Sequence, residues 1–555
     1  MTHYVSTMPL RRSLPAFVLA AILFAYIVYP VVAMLGQSLT LSVDDYRAEA
    51  MGWDPRHQPF AAPLRRLAAE RGAREGILRT VALAAATVLA GSLWGGGLAL
   101  LWQRREFPLR RIFAALGYAP ILLPPLVGAL AFFRLVGDGG LLWRWLGSPY
   151  GAPLISGFAQ VLLVHAYSFG IYAYAYVSAA LEDVDLSYEE AARNLGASGY
   201  RVFAAAVWPP VRAPLLASAF LTFMAAAASF SAPYILDNAG RYLTVDILTA
   251  DDIGMQRALS VVLALIALSA LPAFLYLDRR GRSGADTAFG VKGAARRQLP
   301  PSRVPAFRVA LSCAAALILL APPMMIVVSA LAPEQRGLQA AALTGLDGDD
   351  WWSLGRSGAY ASAAALIDIA LAVAIALALR RAALSAGALV EFAVMLALAL
   401  PGSALAIALL TAFNGPSPLA FGQSLGQTSA ILILAYAIRN LPLAVRPVNA
   451  AFAGLGAALE NAAAGLGAAR FAVLWRVTLP LIFPSVLAAA LICFITGLGE
   501  YVASLLLTGG RNQPVSVRID YLIHQTRWAA AHALALWLMI ASAVVIVGAR
   551  LLRRR

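Results

Sequence analysis

The sequence predicts an all-α polytopic membrane protein of about twelve transmembrane helices, arranged as two parallel six-helix repeats. Three observations predict it. Apolar residues make up 61% of the 555 residues and charged residues only 13%, for a mean hydropathy of +0.75. Apolar runs of the roughly 20 residues needed to cross about 30 Å of hydrocarbon recur about a dozen times. A polar loop in the first half recurs at the matching place in the second. This composition excludes a string of soluble domains, a disordered chain and a fibre. A disulfide scaffold is excluded as well, because Cys313 and Cys493 are the only cysteines and both lie in apolar runs, where they read as packing residues.

The first span, at about 14–35, follows Arg11 and Arg12 and has no small-residue cleavage site behind it. It reads as a retained helix and not a signal peptide. With an external loop it makes up the segment 1–76, ahead of a first unit at 77–277 whose apolar runs lie at about 77–101, 112–136, 154–181, 213–236 and 258–277. A basic linker follows at 278–307, with Lys292 and six arginines among Gly, Ser and Pro, and reads as a solvated connector. A seventh span at about 308–331 and a second external loop fill 308–357. The second unit, 358–550, holds runs at about 358–379, 388–412, 428–448, 482–507 and 529–549.

An even number of spans leaves both termini on one side of the membrane. Arg104, Arg105, Arg110 and Arg111, then Arg380 and Arg381, and the arginines at 553–555 all fall on that side, which marks it as cytoplasmic. The net charge of +15 is thereby assigned to cytoplasmic loops and not to nucleic-acid binding. Arg47, Arg56, Arg65, Arg66, Arg71 and Arg74 run against this on the external side; a short amphipathic surface helix over 63–75 would tolerate them.

The halves match best in the loop between the fourth and fifth span of each. The first copy reads Glu189-Glu190-Ala191-Ala192-Arg193-Asn194-Leu195-Gly196 and reaches Trp208-Pro209 twelve residues later. The second reads Glu460-Asn461-Ala462-Ala463-Ala464-Gly465-Leu466-Gly467 and reaches Leu479-Pro480. The interval from Gly196 to Gly467 equals that from Pro209 to Pro480, and Ala166-Tyr167 is echoed by Ala435-Tyr436. Six spans per half bring the second half in with the orientation of the first, a parallel repeat.

The local chemistry of the loop describes a helix, a break and a second helix. Ser187 with Glu190 makes a capping box. Ala191 and Ala192 leave a surface of low relief, Gly196 supplies a left-handed turn at the helix end, and the proline stops the second helix. The second copy has Ala457 and Ala458 in place of the capping serine, so a looser first turn is expected there. In so alanine-rich a chain one Glu-Ala-Ala says nothing; two copies at fixed distances from Gly and Pro do. A polar helix in that place needs a soluble partner or lies on the membrane.

Lys292 is the only lysine, between Val291 and Gly293, so no Gly-Lys-Ser/Thr phosphate loop can be written. ATP-driven transport would require an ATPase on another polypeptide. The five histidines, His3, His57, His165, His524 and His532, show no paired metal-ligand spacing, and no catalytic residues are assigned. The chain reads as a non-enzyme that binds no metal.

At the loop residues the chain resembles the permease subunits of binding-protein-dependent ABC importers of the type I fold. Their signature is Glu-Ala-Ala, three residues, Gly, nine residues, an aliphatic residue, one residue, then Leu-Pro. Here it is Glu190-Ala191-Ala192, Gly196, Ala206, Trp208 and Pro209, then Asn461-Ala462-Ala463, Gly467, Val477, Leu479 and Pro480. The second copy departs at Asn461, with Glu460 one residue upstream, and the first at two hydrophobic positions. The resemblance covers about 77–277 and 358–550 and looks like the kind with both halves fused. It implies that the loops are coupling helices docking into two copies of a cytoplasmic ATPase, which carries the ATP and Mg. It also implies an extracytoplasmic solute-binding protein meeting loops near 237–256 and 508–527, and a bacterial inner-membrane location. The segments Leu123-Pro124-Pro125, 229–234, 498–501 and 504–507 look most like the ferric-iron permeases, with thiamine, phosphonate and polyamine permeases similar. The rival class, a carrier driven by an ion gradient, has no use for such a loop pair.

Ionisable groups inside spans cost roughly 2.5–3.5 kcal/mol at the bilayer centre and are therefore site candidates. Arg439 with Asn440, and Glu500, are assigned to the translocation path, with an Arg439–Glu500 pair across the bundle as the alternative. Asp368 and His165 read as structural, Arg446 as a snorkelling residue, and Tyr172, Tyr174 and Tyr176 as packing and hydrogen-bonding residues.

Overall fold

The computed structural model describes residues 8–39, 62–104, 107–182, 184, 186–250, 252–282, 306–331, 346–380, 384–455 and 457–552. The basic positions at 47, 56, 105, 292–303, 381 and 553–555 lie outside them. In the first half the long helices are α1 (Leu14–Leu39), α2 (Arg71–Gln103), α3 (Pro125–Val136), α4 (Gly157–Glu182), α6 (Gly199–Ala227) and α7 (Ile253–Arg282), with α5 (Leu186–Asn194) in the loop between α4 and α6. The second half repeats them as α8 (Ala306–Leu331), α9 (Gly348–Leu379), α10 (Leu384–Ala399) with α11 (Gly402–Phe413), α12 (Ser429–Gly454), α14 (Phe471–Leu498) and α16 (Trp528–Leu552). Here α13 (Ala457–Gly465) is the counterpart of α5, and α15 (Val515–His524) precedes α16. Among the described residues eleven helices are long and apolar enough to cross a membrane, and twelve spans result when α10 and α11, bent by 114°, count as one.

The expected spans are present, but several are broken where hydropathy is silent. The run at 112–136 is a helix Arg110–Leu116, a 3-10 turn Ala119–Leu122 and α3, because Pro120, Pro124 and Pro125 have no N–H to give to a helical ladder. Pro401 makes the corresponding bend between α10 and α11. The runs at 213–236 and 482–507 stop at Ala227 and Leu498 and resume as the short helices Ser231–Leu236 and Val502–Leu507. The surface helix expected over 63–75 is instead a helix Ala62–Ala69 and then the first turn of α2. Cys313 is exposed on α8, so only Cys493 is a packing residue.

The first helix of each half packs against the other half. Tyr26 on α1 donates to the Leu419 carbonyl at 2.8 Å and stacks on Phe413 of α11 at 6.1 Å. On α8, Leu319 accepts from Tyr167 of α4 at 2.9 Å, and Arg308 donates to the Leu100 carbonyl of α2 at 3.2 Å. This exchange interlocks the halves. Within the first half α2 and α4 cross at glycines: Gly95 lies against Gly170 so closely that a methyl group there would strike the Gly170 carbonyl. Small residues of this kind are what lets helices in lipid approach.

Candidate functional site

Two short helices, α5 and α13, leave the bundle on one face and are built alike. Glu189 is buried, and its carboxylate accepts from Arg104 at 2.9 Å and Arg193 at 3.3 Å. Glu460 accepts from Arg380 at 2.8 Å and from the Thr478 hydroxyl at 2.8 Å. Arg104 and Arg380 each follow directly on the last residue of the first core helix of their half, α2 and α9. Each carboxylate thus ties its short helix to the same place in its own half. Glu190 and Asn461, one residue on, are exposed to solvent.

Both short helices end alike. Ala197 N–H donates to the Ala192 carbonyl at 3.0 Å and Gly196 to Arg193 at 2.9 Å; Ala468 donates to Ala463 at 3.1 Å and Gly467 to Ala464 at 3.0 Å. That double bond pattern requires a left-handed residue, and Gly196 and Gly467 have φ of +77° and +81°. The turns leave Leu195 and Leu466 standing out at 88% and 90% exposure, followed by exposed Tyr200 and Phe471. Ala191 and Ala462 are exposed, and Ala192 and Ala463 half-buried. α5 begins at Leu186, which puts Ser187 inside its first turn and not at its cap.

The prolines do not stop the helix after the turn. Pro209 and Pro480 follow the π-helical segments Phe203–Val207 and Leu474–Thr478, and α6 and α14 run on through both. A wide turn needs no i−4 bond from the proline and relieves the ring clash with that carbonyl, so the ladder absorbs it.

At the junction of the halves, Arg439 on α12 pairs with Glu500 in the break after α14 at 2.9 Å, with Glu500 nearly buried. The guanidinium lies over Gly402, where any side chain would collide with it. Asn440 does not join the pair. It donates to the Cys493 carbonyl at 3.2 Å and accepts from Thr496 at 2.9 Å, which binds α12 to α14. Ser229, the counterpart of Glu500 in the first repeat, shares a hydrogen bond with His165 at 2.9 Å, and His165 meets Thr87 at 3.2 Å. Asp368 is fully buried beside the Cys493 thiol. Arg446 lies 5.1 Å from the centroid of the Phe274 ring and donates to the Met395 sulfur at 3.2 Å. Tyr174 donates to the Ala114 carbonyl at 2.7 Å.

On the opposite face the segment 237–256 holds the helix Leu243–Thr249, and 508–527 holds α15. Asp237 is held by Arg79 and by the Tyr242 hydroxyl at 2.6 Å. Arg518 of α15 binds Asp350 at 2.7 Å and Asp347 at 3.0 Å. Burial raises the Asp347 carboxyl, but the Asp350 backbone N–H and Arg518 outweigh it and hold it below the usual carboxylate range. In the loops that follow α3 and α11, Tyr150 and Phe421 stand fully exposed, each left-handed at φ +53°, each followed by a left-handed glycine. Their separation along the chain is the same as that of Gly196 from Gly467.

The family model described as the binding-protein-dependent transport system inner membrane component matches residues 87–280 and again 368–555. The chain belongs to that family. It is an ABC importer permease with both halves in one polypeptide. It is similar to a probable ABC transporter permease, y4fN, of Sinorhizobium fredii, 28% identical over 82% of this chain and 82% of that one. The ferric transport permease FbpB of Actinobacillus pleuropneumoniae is 22% identical over 83% of this chain and 68% of its own length. The molybdenum permease ModB of Mycobacterium tuberculosis is 38% identical, over 27% of this chain and 59% of its own.

For this permease, sequence reasoning places the loop motif but not its anchor. It takes Arg104 and Arg380 only as markers of orientation, although each is the first charge after an apolar run; that position is the signal that pairs them with Glu189 and Glu460. The departure at Asn461 leaves the anchor intact, since the anchoring residue is the one before it. Tyr150 and Phe421 escape it altogether, and their signal is an aromatic-glycine pair repeated at the loop's own spacing.

Proposed function

We propose that this permease imports ferric iron, driven by two copies of a separate cytoplasmic ATPase docked on α5 and α13 and fed by an extracytoplasmic binding protein on the opposite face. The observation that carries the docking is the shared build of the two loops: a buried or half-buried carboxylate fixes each helix to its half, and an exposed Leu and aromatic stand beside a left-handed glycine. Exposed apolar side chains on a polar protrusion are what a protein partner covers. ATP and Mg belong to the ATPase, since a chain whose single lysine lies outside any phosphate loop has no such site of its own. The α5 face is then cytoplasmic, both termini lie there, and the membrane is the bacterial inner membrane.

Closure of the ATPase pair on ATP draws α5 and α13 together. The links Arg104–Glu189 and Arg380–Glu460 pass that movement to α2 and α9, and the interlocked halves respond as bodies. Outward opening must be favoured by a few kcal/mol in the ATP state for the cycle to turn. Tyr150 and Phe421, one on each half, offer the binding protein two equivalent contacts. The Arg439–Glu500 pair sits beside the path and opens or closes with the junction.

Ferric iron is supported by FbpB, which is similar along both halves. A second reading, molybdenum, is favoured by the higher identity to ModB over part of the chain. The test is uptake into vesicles holding the permease, its ATPase and its binding protein, with ferric iron and molybdate offered side by side. ATP-dependent accumulation of iron alone is expected; accumulation of molybdate transfers the cargo assignment, and uptake without the ATPase refutes the importer.

A further inference from the structure

At the end of α2 nearest α5 a groove of about 530 Å³ opens between α2, α8 and the first turns of α6. Its volume lies within the roughly 300–1,000 Å³ of small-molecule sites. Leu93, Trp94, Gly97 and Leu101 of α2 form an apolar wall, and Arg104 and Arg308 form its basic end. Leu93 is exposed on the outside of the bundle, so in a membrane the groove lies open to hydrocarbon. From 93 to 104 the wall runs roughly 16 Å at 1.5 Å per residue, the reach of a good part of an acyl chain. Among the described residues no acid lines it, although Arg104 at its basic end also holds Glu189 at 2.9 Å.

We propose that this groove binds one anionic phospholipid from the leaflet on the α5 side, its phosphate on Arg104 and Arg308 and one acyl chain along α2. Groove and lipid complement each other in charge at a fixed depth. Two guanidiniums at the polar end of an apolar cleft offer paired donors that suit phosphate oxygens, and basic pockets between spanning helices are where acidic headgroups settle. A zwitterionic lipid fills the same apolar wall but brings its own cation to two arginines. The site also has a consequence for coupling. Arg104 is the anchor of α5, so a phosphate beside it adds a second anion that keeps the guanidinium in place and braces the anchor when the partner pulls.

The test uses the full chain in mild detergent, with lipid retention read by native mass spectrometry in phosphatidylglycerol or in phosphatidylcholine. Gly97→Leu fills the groove, since a Cβ at Gly97 meets nothing within 4 Å, and Arg308→Gln removes the charge while keeping a donor for the Leu100 carbonyl. Where either fails to fold, as judged by its unfolding temperature, Leu93→Trp narrows the same groove from the exposed face. The expected result is retention of phosphatidylglycerol over phosphatidylcholine, weakened about ten-fold by each variant. Equal retention of the two lipids overturns the proposal. So does a loss confined to Arg308→Gln, which would describe an anion site without a tail, or to Gly97→Leu, which would describe a tail groove blind to charge. The readout needs neither ATPase nor cargo, so its failure leaves the transport reading standing and the reverse.

Discussion

Phe230 and Tyr501 hold the same place in the two repeats, and their rings meet with centroids 5.7 Å apart. Each is the residue on which its broken span resumes as a short helix. Equivalent residues in contact define a pseudo-two-fold axis between them, as in a symmetric dimer. The residues just before them differ: Ser229 in the first half meets His165, while Glu500 in the second meets Arg439. The junction is therefore symmetric in shape and asymmetric in charge.

That asymmetry is testable at the ion pair. Breaking a buried pair costs about 3–5 kcal/mol, and less here because Arg439 is 34% exposed. Glu500→Gln should cost about 1–3 kcal/mol of stability and depress uptake. Arg439→Met combined with Glu500→Met should recover most of the stability, because no charge is left unpaired, but not the uptake. Thermal unfolding beside vesicle uptake checks both; recovery of uptake in the double variant would make the pair a structural element only.

The two glutamates of the first loop should behave differently. Glu189→Gln should loosen α5 from α2, with a coupling energy to Arg104 of about 1.5–3 kcal/mol in a double-mutant cycle. Glu190→Gln should leave stability unchanged and weaken ATPase affinity. At the more exposed Arg380–Glu460 pair the coupling energy should not exceed about 1 kcal/mol. The opposite order of the two cycles would show that α5 is not held through Glu189.

Gly196→Val and Gly467→Val should each cost about 1–2 kcal/mol locally, because a side chain at positive φ crowds the following carbonyl. Neither Cβ meets a neighbour within 4 Å, so the bundle should unfold at an unchanged temperature. ATP turnover stimulated by the binding protein should fall. Turnover that survives both changes would remove the loops from the coupling path.

Tyr150 and Phe421 give a prediction with two signs. Tyr150→Gly relieves left-handed strain and should stabilise the loop by about 1 kcal/mol, yet it should weaken binding-protein affinity about ten-fold while basal ATP turnover holds. Phe421→Gly should do the same in the other half. Unchanged affinity in the paired variant would leave both rings to the lipid interface.

The membrane class, the number of spans and the parallel repeat are legible in the sequence, because hydropathy and a fixed spacing are properties of the chain read in order. It also placed Gly196 and Gly467, since a left-handed turn after an alanine-rich helix is a local demand that glycine meets. What it misjudged locally was Pro209 and Pro480, where a wide turn that packing selects absorbs the missing N–H. That α1 and α8 cross to the opposite half, that Glu189 and not Glu190 is the anchor, and that Asn440 turns away from Arg439 emerge from the packing alone. Those are choices among side chains one residue apart, or among helix faces of equal hydropathy. They are settled by which neighbour offers a hydrogen bond or a fitting face once the group is buried, and that neighbour comes from a distant stretch of chain.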